Sequence, residues 1–407
     1  MLNRRFFLVG SGAIACGQLL GGCSDRSRES LRVQLLNGSL PQQLIREFRT
    51  LSGKPAKFTP VAQFEEIVRS LQDWQEIAKG EKTAGRFPNW VPFVGDRIPP
   101  AANLATLGDA WLTGVIRDRL IQPLTPSRLE GWSNLPSSFT RVVTRNEAGF
   151  ADENGAVWGA PYRWGTTVIA YNREVFKNLD WTPQDWKDLW REELRDRISI
   201  IWQPREIIGI VLKKLGYSYN TRDLRAIKDL RSQLEALLAQ IKFYSSRYYL
   251  KPLILKDTWV AVGWSGDILP TIERYPQIKI VVPPSGTALW CDIWVRPQTG
   301  EKNDSFELSD RWIDFCWQNE PARKISQFTD AVSPMLLNAE RSQLPKVLQE
   351  NSPQFPDREI LEKSEFIEPL PATISSQYQH LFQLAMLTTN NQQPTPNPSQ
   401  EGRSREE

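Results

Sequence analysis

The chain of 407 residues carries 50 Lys and Arg against 47 Asp and Glu, a formal net charge of +3, with a single histidine and 16 tryptophans. So balanced a charge argues against a nucleic-acid partner and against a polybasic membrane surface. With 40% apolar residues, the chain has ample material for a globular protein of two domains.

The first residues read as an export address. Arg4 and Arg5 precede Phe6-Phe7-Leu8, an apolar run rich in Gly and Ala extends from Val9 to Leu20, and Leu20-Gly21-Gly22-Cys23 closes it. The run is short for crossing a bilayer, and its order resembles a twin-arginine signal joined to a lipoprotein signal. On that reading residues 1–22 are removed and Cys23 becomes a lipidated N-terminus outside the cytoplasm. The alternatives are an uncleaved anchor, or a Sec signal in which Arg4 and Arg5 are merely the positive region.

The body alternates strand and helix. Leu31–Leu36 reads as a strand, Asn37-Gly38-Ser39 as a turn, and Pro41–Leu51 as a helix with Ser39 and Gln42 spaced as a capping box. Lys57–Pro60 is a second strand, followed by a helix over Phe64–Ile77. Asn103–Leu107 is a third, after which Gly108-Asp109 opens a helix over Trp111–Arg117. Val168–Tyr171, Ile198–Trp202, Trp259–Trp264 and Ile278–Val282 are further strands, and Leu224–Ile241 has the stripe of a long amphipathic helix. The polar tail Thr388–Glu407 has the composition of a disordered segment. Such alternation predicts an α/β protein with mostly parallel sheets, whose ligands sit beyond the carboxyl ends of strands, here Gly38, Gly108, Pro204 and Gly266.

The chemistry concentrates between Val262 and Trp294. Trp264 precedes Asp267 across Gly266, and Trp290 and Asp292 alternate with Trp294 on one face of a strand. An aromatic face beside an acid holds an organic cation; the competing reading makes the tryptophans core and Asp267 the cap of a helix over Ile268–Tyr275. Glu206 follows Pro204 in the first turn of a helix, where a carboxylate is favoured for reasons of its own. Cys291 and Cys316 are too few and too far apart for a metal knuckle; they read as buried free thiols, with a disulfide outside the cytoplasm as the alternative. His380 alone gives no basis for a catalytic triad, and no Walker or dinucleotide Gly-rich pattern appears, so neither metal nor cofactor is expected.

Several blocks carry a family resemblance in order along the chain. Trp158-Gly159-Ala160-Pro161-Tyr162-Arg163-Trp164-Gly165-Thr166-Thr167, Pro204-Arg205-Glu206-Ile207-Ile208-Gly209, Val262–Asp267, Leu289–Trp294 and Ala331-Val332-Ser333-Pro334 resemble the spermidine- and putrescine-binding proteins of bacterial ABC importers, members of the extracellular solute-binding family. The resemblance implies a periplasmic, type II-like fold of two α/β lobes with the ligand cleft between them. It divides the chain into a first lobe of 31–162 plus about 293–325 and a second of 163–292 plus about 326–387, with crossings near Pro161–Thr166 and Asp292–Pro297. It further implies a monomer that binds a putrescine- or spermidine-like cation, performs no chemistry on it, and delivers it to a permease and its ATPase. By the same resemblance Trp264 and Trp290 flank the ligand, and Asp267, Asp292 and Glu206 take its ammonium groups. Trp164 is a cleft or hinge aromatic, or core. Ser39 and Asp109 belong to the first lobe's contribution, where the usual aromatics are thinned. Gln203 stands where an acid is often found, which points to a diamine or another compact cation in preference to a long triamine.

Two other classes remain open on sequence alone. Paired carboxylates with tryptophan platforms also suit a hydrolase acting on a sugar, and the fold could serve an envelope interaction protein without transport.

Overall fold

The computed structural model describes residues 30–81, 100–299, 306–349 and 353–392. Arg4, Arg5, Cys23 and the rest of the expected signal lie outside the described residues, as does the tail beyond Gln392.

The strands follow one hydrogen-bonded order: Ala56–Val61, Leu31–Leu36, Leu104–Gly108, Ala288–Pro297, Ala160–Asn172, Val260–Trp264, Ile198–Ile200 and Ile241–Tyr244. The outer strands pair in parallel on each side. Ala288–Pro297 and Ala160–Asn172 run antiparallel to each other and to their outer neighbours. The sheet is therefore mixed, with antiparallel strands at its centre where the sequence suggests a mostly parallel arrangement.

Two separate cores divide this sheet. Leu31, Leu44, Phe48, Leu104, Tyr162, Trp294 and Trp312 belong to one; Val168, Ile207, Leu234, Val262 and Phe382 belong to the other. The strand Ala160–Asn172 serves both, packing Ala160, Tyr162 and Trp164 into the first core and Val168, Ile169 and Ala170 into the second. It is buried continuously from Ala160 to Ala170, as a strand covered on both faces is. Further along, Val282 packs on the second core and Leu289 on the first, so the return crossing comes earlier than Asp292–Pro297. The stretch after 326 also differs from expectation. Leu336, Leu344, Leu348 and Phe355 pack into the first core, and the chain rejoins the second only from Leu370. A third crossing near Phe366–Leu370 results.

The helix over Leu224–Ile241 is not continuous. A single 3-10 turn Leu224–Ala226 precedes the helix Leu230–Leu238, and Ile241–Tyr244 is a strand beside Ile198–Ile200. All the apolar positions of the stripe are buried, which is why the helical period reads through the break. At the C-terminus, the helix Ala372–Gln392 extends past Thr388, where the composition suggests disorder, and exposes His380. Its buried Tyr378, Phe382 and Ala385 dock it on the second core, and that packing overrides the local composition.

Candidate ligand-binding site

A cavity of about 830 Å³ opens between the two cores. Gly38, Gly108 and Gly266 border it at the carboxyl ends of their strands, with Gln203 and Arg205 on either side of Pro204. The sequence-predicted residues Asp109, Gln203, Glu206, Trp264, Asp267, Trp290 and Asp292 all line it.

Trp264 ends the strand Val260–Trp264, and the helix Ser265–Arg274 starts immediately afterwards. The Ser265 hydroxyl accepts the Thr166 backbone N–H at 3.1 Å, tying this helix start to the long crossing strand. Trp290 lies against Gly165 and Gly266: a Cβ at Gly165 would overlap its ring, and one at Gly266 would approach Cζ2 to 3.1 Å. The indole Nε1 of Trp290 donates to the Thr166 carbonyl at 3.3 Å. Gly165 is thus required by a close approach, Gly266 leaves the ring little room, and together they set the ring as one wall of the cleft.

Asp267 does not cap its helix. The preceding Trp264 occupies the cap position, no side chain caps this helix end, and Asp267 lies in the first turn. Its carboxylate accepts from the Tyr249 hydroxyl at 3.1 Å. Tyr249 is held beneath it by packing against Gly263, where a Cβ would overlap the tyrosine ring. Asp267 is exposed to cleft water, yet partial desolvation raises its pKa against the opposing Tyr249 hydrogen bond and the Arg163 charge. Solvent contact limits that rise, so Asp267 is an accessible anion of the cleft, which the half-buried Asp330 and Glu368 also line.

Glu206 sits in the first turn of the helix Pro204–Lys214 but is buried. One carboxylate oxygen accepts from the Thr167 hydroxyl and the other from Trp264 Nε1 at 3.3 Å. Desolvation raises its pKa to about 7, opposed by these two donors. Proton linkage follows. Below its ordinary value near 4.5 the protonated, buried Glu206 makes its full contribution to stability, and that contribution is lost as pH rises through about 7. A bound cation works in the opposite direction, since it requires the ionised form. Cation affinity should therefore fall by roughly tenfold between pH 8 and pH 6, because about one proton must leave Glu206 on binding. Calorimetric titration across that range checks it; an affinity independent of pH would remove Glu206 from the cage.

Asp292 lies in the cleft but is already paired. Its Oδ2 accepts from Arg163 Nε at 2.6 Å, and both side chains are buried. Burial raises the Asp292 pKa while Arg163 opposes it. Burial alone would lower the guanidinium pKa, and Asp292 together with Tyr162 more than reverses that, which favours the charged guanidinium beside Asp292. Asp292, expected to take a ligand ammonium, thus lines the cleft with one carboxylate oxygen already engaged by Arg163. Asp109 is likewise engaged: Oδ1 accepts the Cys291 backbone N–H at 3.0 Å, and desolvation raises its pKa to about 6. It fastens the 3-10 turn Asp109–Trp111 to the strand Ala288–Pro297.

Trp164 and Ser39 fall elsewhere. Trp164 is fully buried in the first core, 6.0 Å from both the Phe139 and Phe355 rings, and exchanges backbone hydrogen bonds with Val332. It borders a second, smaller cavity of about 440 Å³, not the cleft. Ser39 is fully buried and does not line the cleft; Pro41 occupies the cap position of the following helix, so no capping box forms. Gln203 is exposed at the cleft surface. Trp294 is already inside the first core, stacked on Tyr162 at 4.3 Å. Cys291 and Cys316 are buried free thiols. Arg163, Thr167 and Tyr249 escape sequence reasoning; for Arg163 a signal exists, a charge inside the otherwise uncharged run Ala160–Asn172.

Residues 101–364 match the family described as bacterial extracellular solute-binding protein. The chain belongs to that family. This solute-binding protein is 25% identical over 268 residues to the spermidine/putrescine-binding periplasmic protein of Escherichia coli K12, covering 66% of this chain and 72% of that one. It is 28% identical over 210 residues to the putrescine/cadaverine-binding protein of Pseudomonas aeruginosa, covering 48% of this chain and 58% of the relative. In structure it is similar to a spermidine/putrescine ABC transporter substrate-binding protein of Streptococcus pneumoniae, with a TM-score of 0.70 at 22% identity, over 89% of this chain and 99% of the other. That likeness gives the solute-binding protein the two-lobed periplasmic binding-protein fold.

Proposed function

We propose that this solute-binding protein works outside the cytoplasm, captures a polyamine-like organic cation in the cleft, and delivers it to an ABC permease and its ATPase. The observation that carries the reading is the cluster of Asp267, Glu206, Trp264 and Trp290 around one cavity, in which neither Asp267 nor Glu206 forms an ion pair among the described residues. Two carboxylates beside aromatic faces suit an ammonium group, which gains both charge and ring-face attraction. The ligands named for the relatives support the same class.

A thermal-shift screen of the mature protein against amines, amino acids and sugars tests this. Binding adds RT ln(1 + [L]/Kd) of stability, about 2.7 kcal/mol at a hundredfold excess over Kd. The reading expects amines to raise Tm and sugars to leave it unchanged; the reverse would overturn it.

Attachment is part of the same proposal. The Leu20-Gly21-Gly22-Cys23 run supports cleavage before Cys23 and lipidation of its thiol, and durable anchoring takes more than one acyl chain. Mass spectrometry of the mature N-terminus should find acylated Cys23. A product starting elsewhere, or released as a soluble protein, contradicts the anchor.

A further inference from the structure

Of the carboxylates around the cleft, Asp292 is paired with Arg163, Glu368 with Arg141, and Asp109 holds the Cys291 backbone N–H. Asp267 and Glu206 meet no protein cation among the described residues, and both project from helices packed on the second core, Ser265–Arg274 and Pro204–Lys214. Asp330 comes from the other side. It stands between Ile325 and Val332, which pack into the first core, and it lines the cleft half-buried. Its backbone is left-handed, with a φ of 54°, a conformation that Gly, Asn and Asp adopt most readily. The segment around it is tied down on both sides. The Thr329 carbonyl accepts from Arg163 at 3.2 Å, the Ala331 carbonyl accepts from Gln354 at 3.0 Å, and Val332 exchanges backbone hydrogen bonds with Trp164. The Asp330 carboxylate itself has no hydrogen bond or ion pair among the described residues. Partial burial and the charge of Glu273, on the same helix as Asp267, raise its pKa, while Arg163 opposes them. This carboxylate thus faces the second lobe's helix across the cleft.

We propose that Asp330 is the first lobe's anion for the ligand, taking one ammonium of a diamine or polyamine whose other ammonium lies with Asp267 and Glu206. The inference deepens the cation-binding reading above and rests on it. It makes the ligand a two-ended cation that runs past Trp264 and Trp290 and touches a carboxylate of each lobe. A monoamine satisfies one end alone and leaves the other carboxylate partly desolvated without a counter-charge. Asp330 therefore selects for the second charge.

Calorimetric titration of putrescine and n-butylamine into wild type and Asp330→Asn tests the proposal. Wild type should bind putrescine the more tightly. Asp330→Asn should weaken putrescine binding by roughly tenfold to a hundredfold, between the values for an exposed and a buried charge pair, and change n-butylamine binding by less than about threefold. Most of the preference for putrescine should then disappear. Asn accepts the left-handed backbone, and Asp330→Gly, which also accepts it, should show the same loss with the unliganded Tm of both variants at the wild-type value. Putrescine affinity unchanged in both variants, n-butylamine weakened as much as putrescine, or a wild type that binds the two amines equally, overturns the inference while leaving the cation site in place. Binding of neither amine by wild type overturns the cation-binding reading and this inference with it.

Discussion

Asp292→Ala should destabilise the unliganded protein by about 3–5 kcal/mol, because it leaves the buried Arg163 guanidinium without its carboxylate. The cost comes from the charge left behind: replacing both partners by apolar residues of similar size is often neutral or stabilising. Arg163→Leu combined with Asp292→Leu should therefore recover most of the loss. The pair joins strand Ala288–Pro297 to strand Ala160–Asn172 where the chain passes from one core to the other, so the damage should reach both lobes. Urea unfolding of the single and double variants measures this. A single-variant loss below about 1 kcal/mol would be the value for an exposed pair and would show that water reaches these groups in solution.

Asp267→Asn should weaken binding of the cationic ligand by about 2–5 kcal/mol, the range for truncating one partner of a charge pair that the bound ligand shields from water. The fold should be retained. Asp267 caps no helix end, and its hydrogen bond from the Tyr249 hydroxyl can be accepted equally by an Asn carbonyl oxygen. The substitution separates charge from shape, since Asn keeps the size and the acceptor and removes only the negative charge. Calorimetric titration giving wild-type affinity for Asp267→Asn would show that ligand charge is read elsewhere in the cleft.

The pieces of the site differ in how far the sequence discloses them. Trp264 and Trp290 are legible because each stands two or three residues before a carboxylate, Asp267 or Asp292, the pairing of ring and acid that holds an organic cation. Asp267 reads ambiguously because Gly266-Asp267 looks like a turn and a cap, whereas the helix already begins at Ser265. Asp292 and Arg163 are each visible as charges in apolar strands, but their pairing spans 129 residues, and no local period encodes a contact of that separation. The same limit applies to Asp109, whose hydrogen-bond partner is 182 residues away. In the fold, Leu31–Leu36 is read directly from its apolar run, while the run Leu224–Ile241 misleads because its buried positions keep a helical period across a 3-10 turn and into a strand. Core packing, not local propensity, decides there.

The most direct measurement is a crystal structure of the protein with its bound cation. The ammonium should lie within about 2.8 Å of the Asp267 carboxylate, the usual length of a charge-assisted hydrogen bond, with the faces of Trp264 and Trp290 on either side and Glu206 completing the cage. A ligand held instead by an anionic group on Arg205 or Arg145, with Asp267 and Glu206 untouched, would contradict the account.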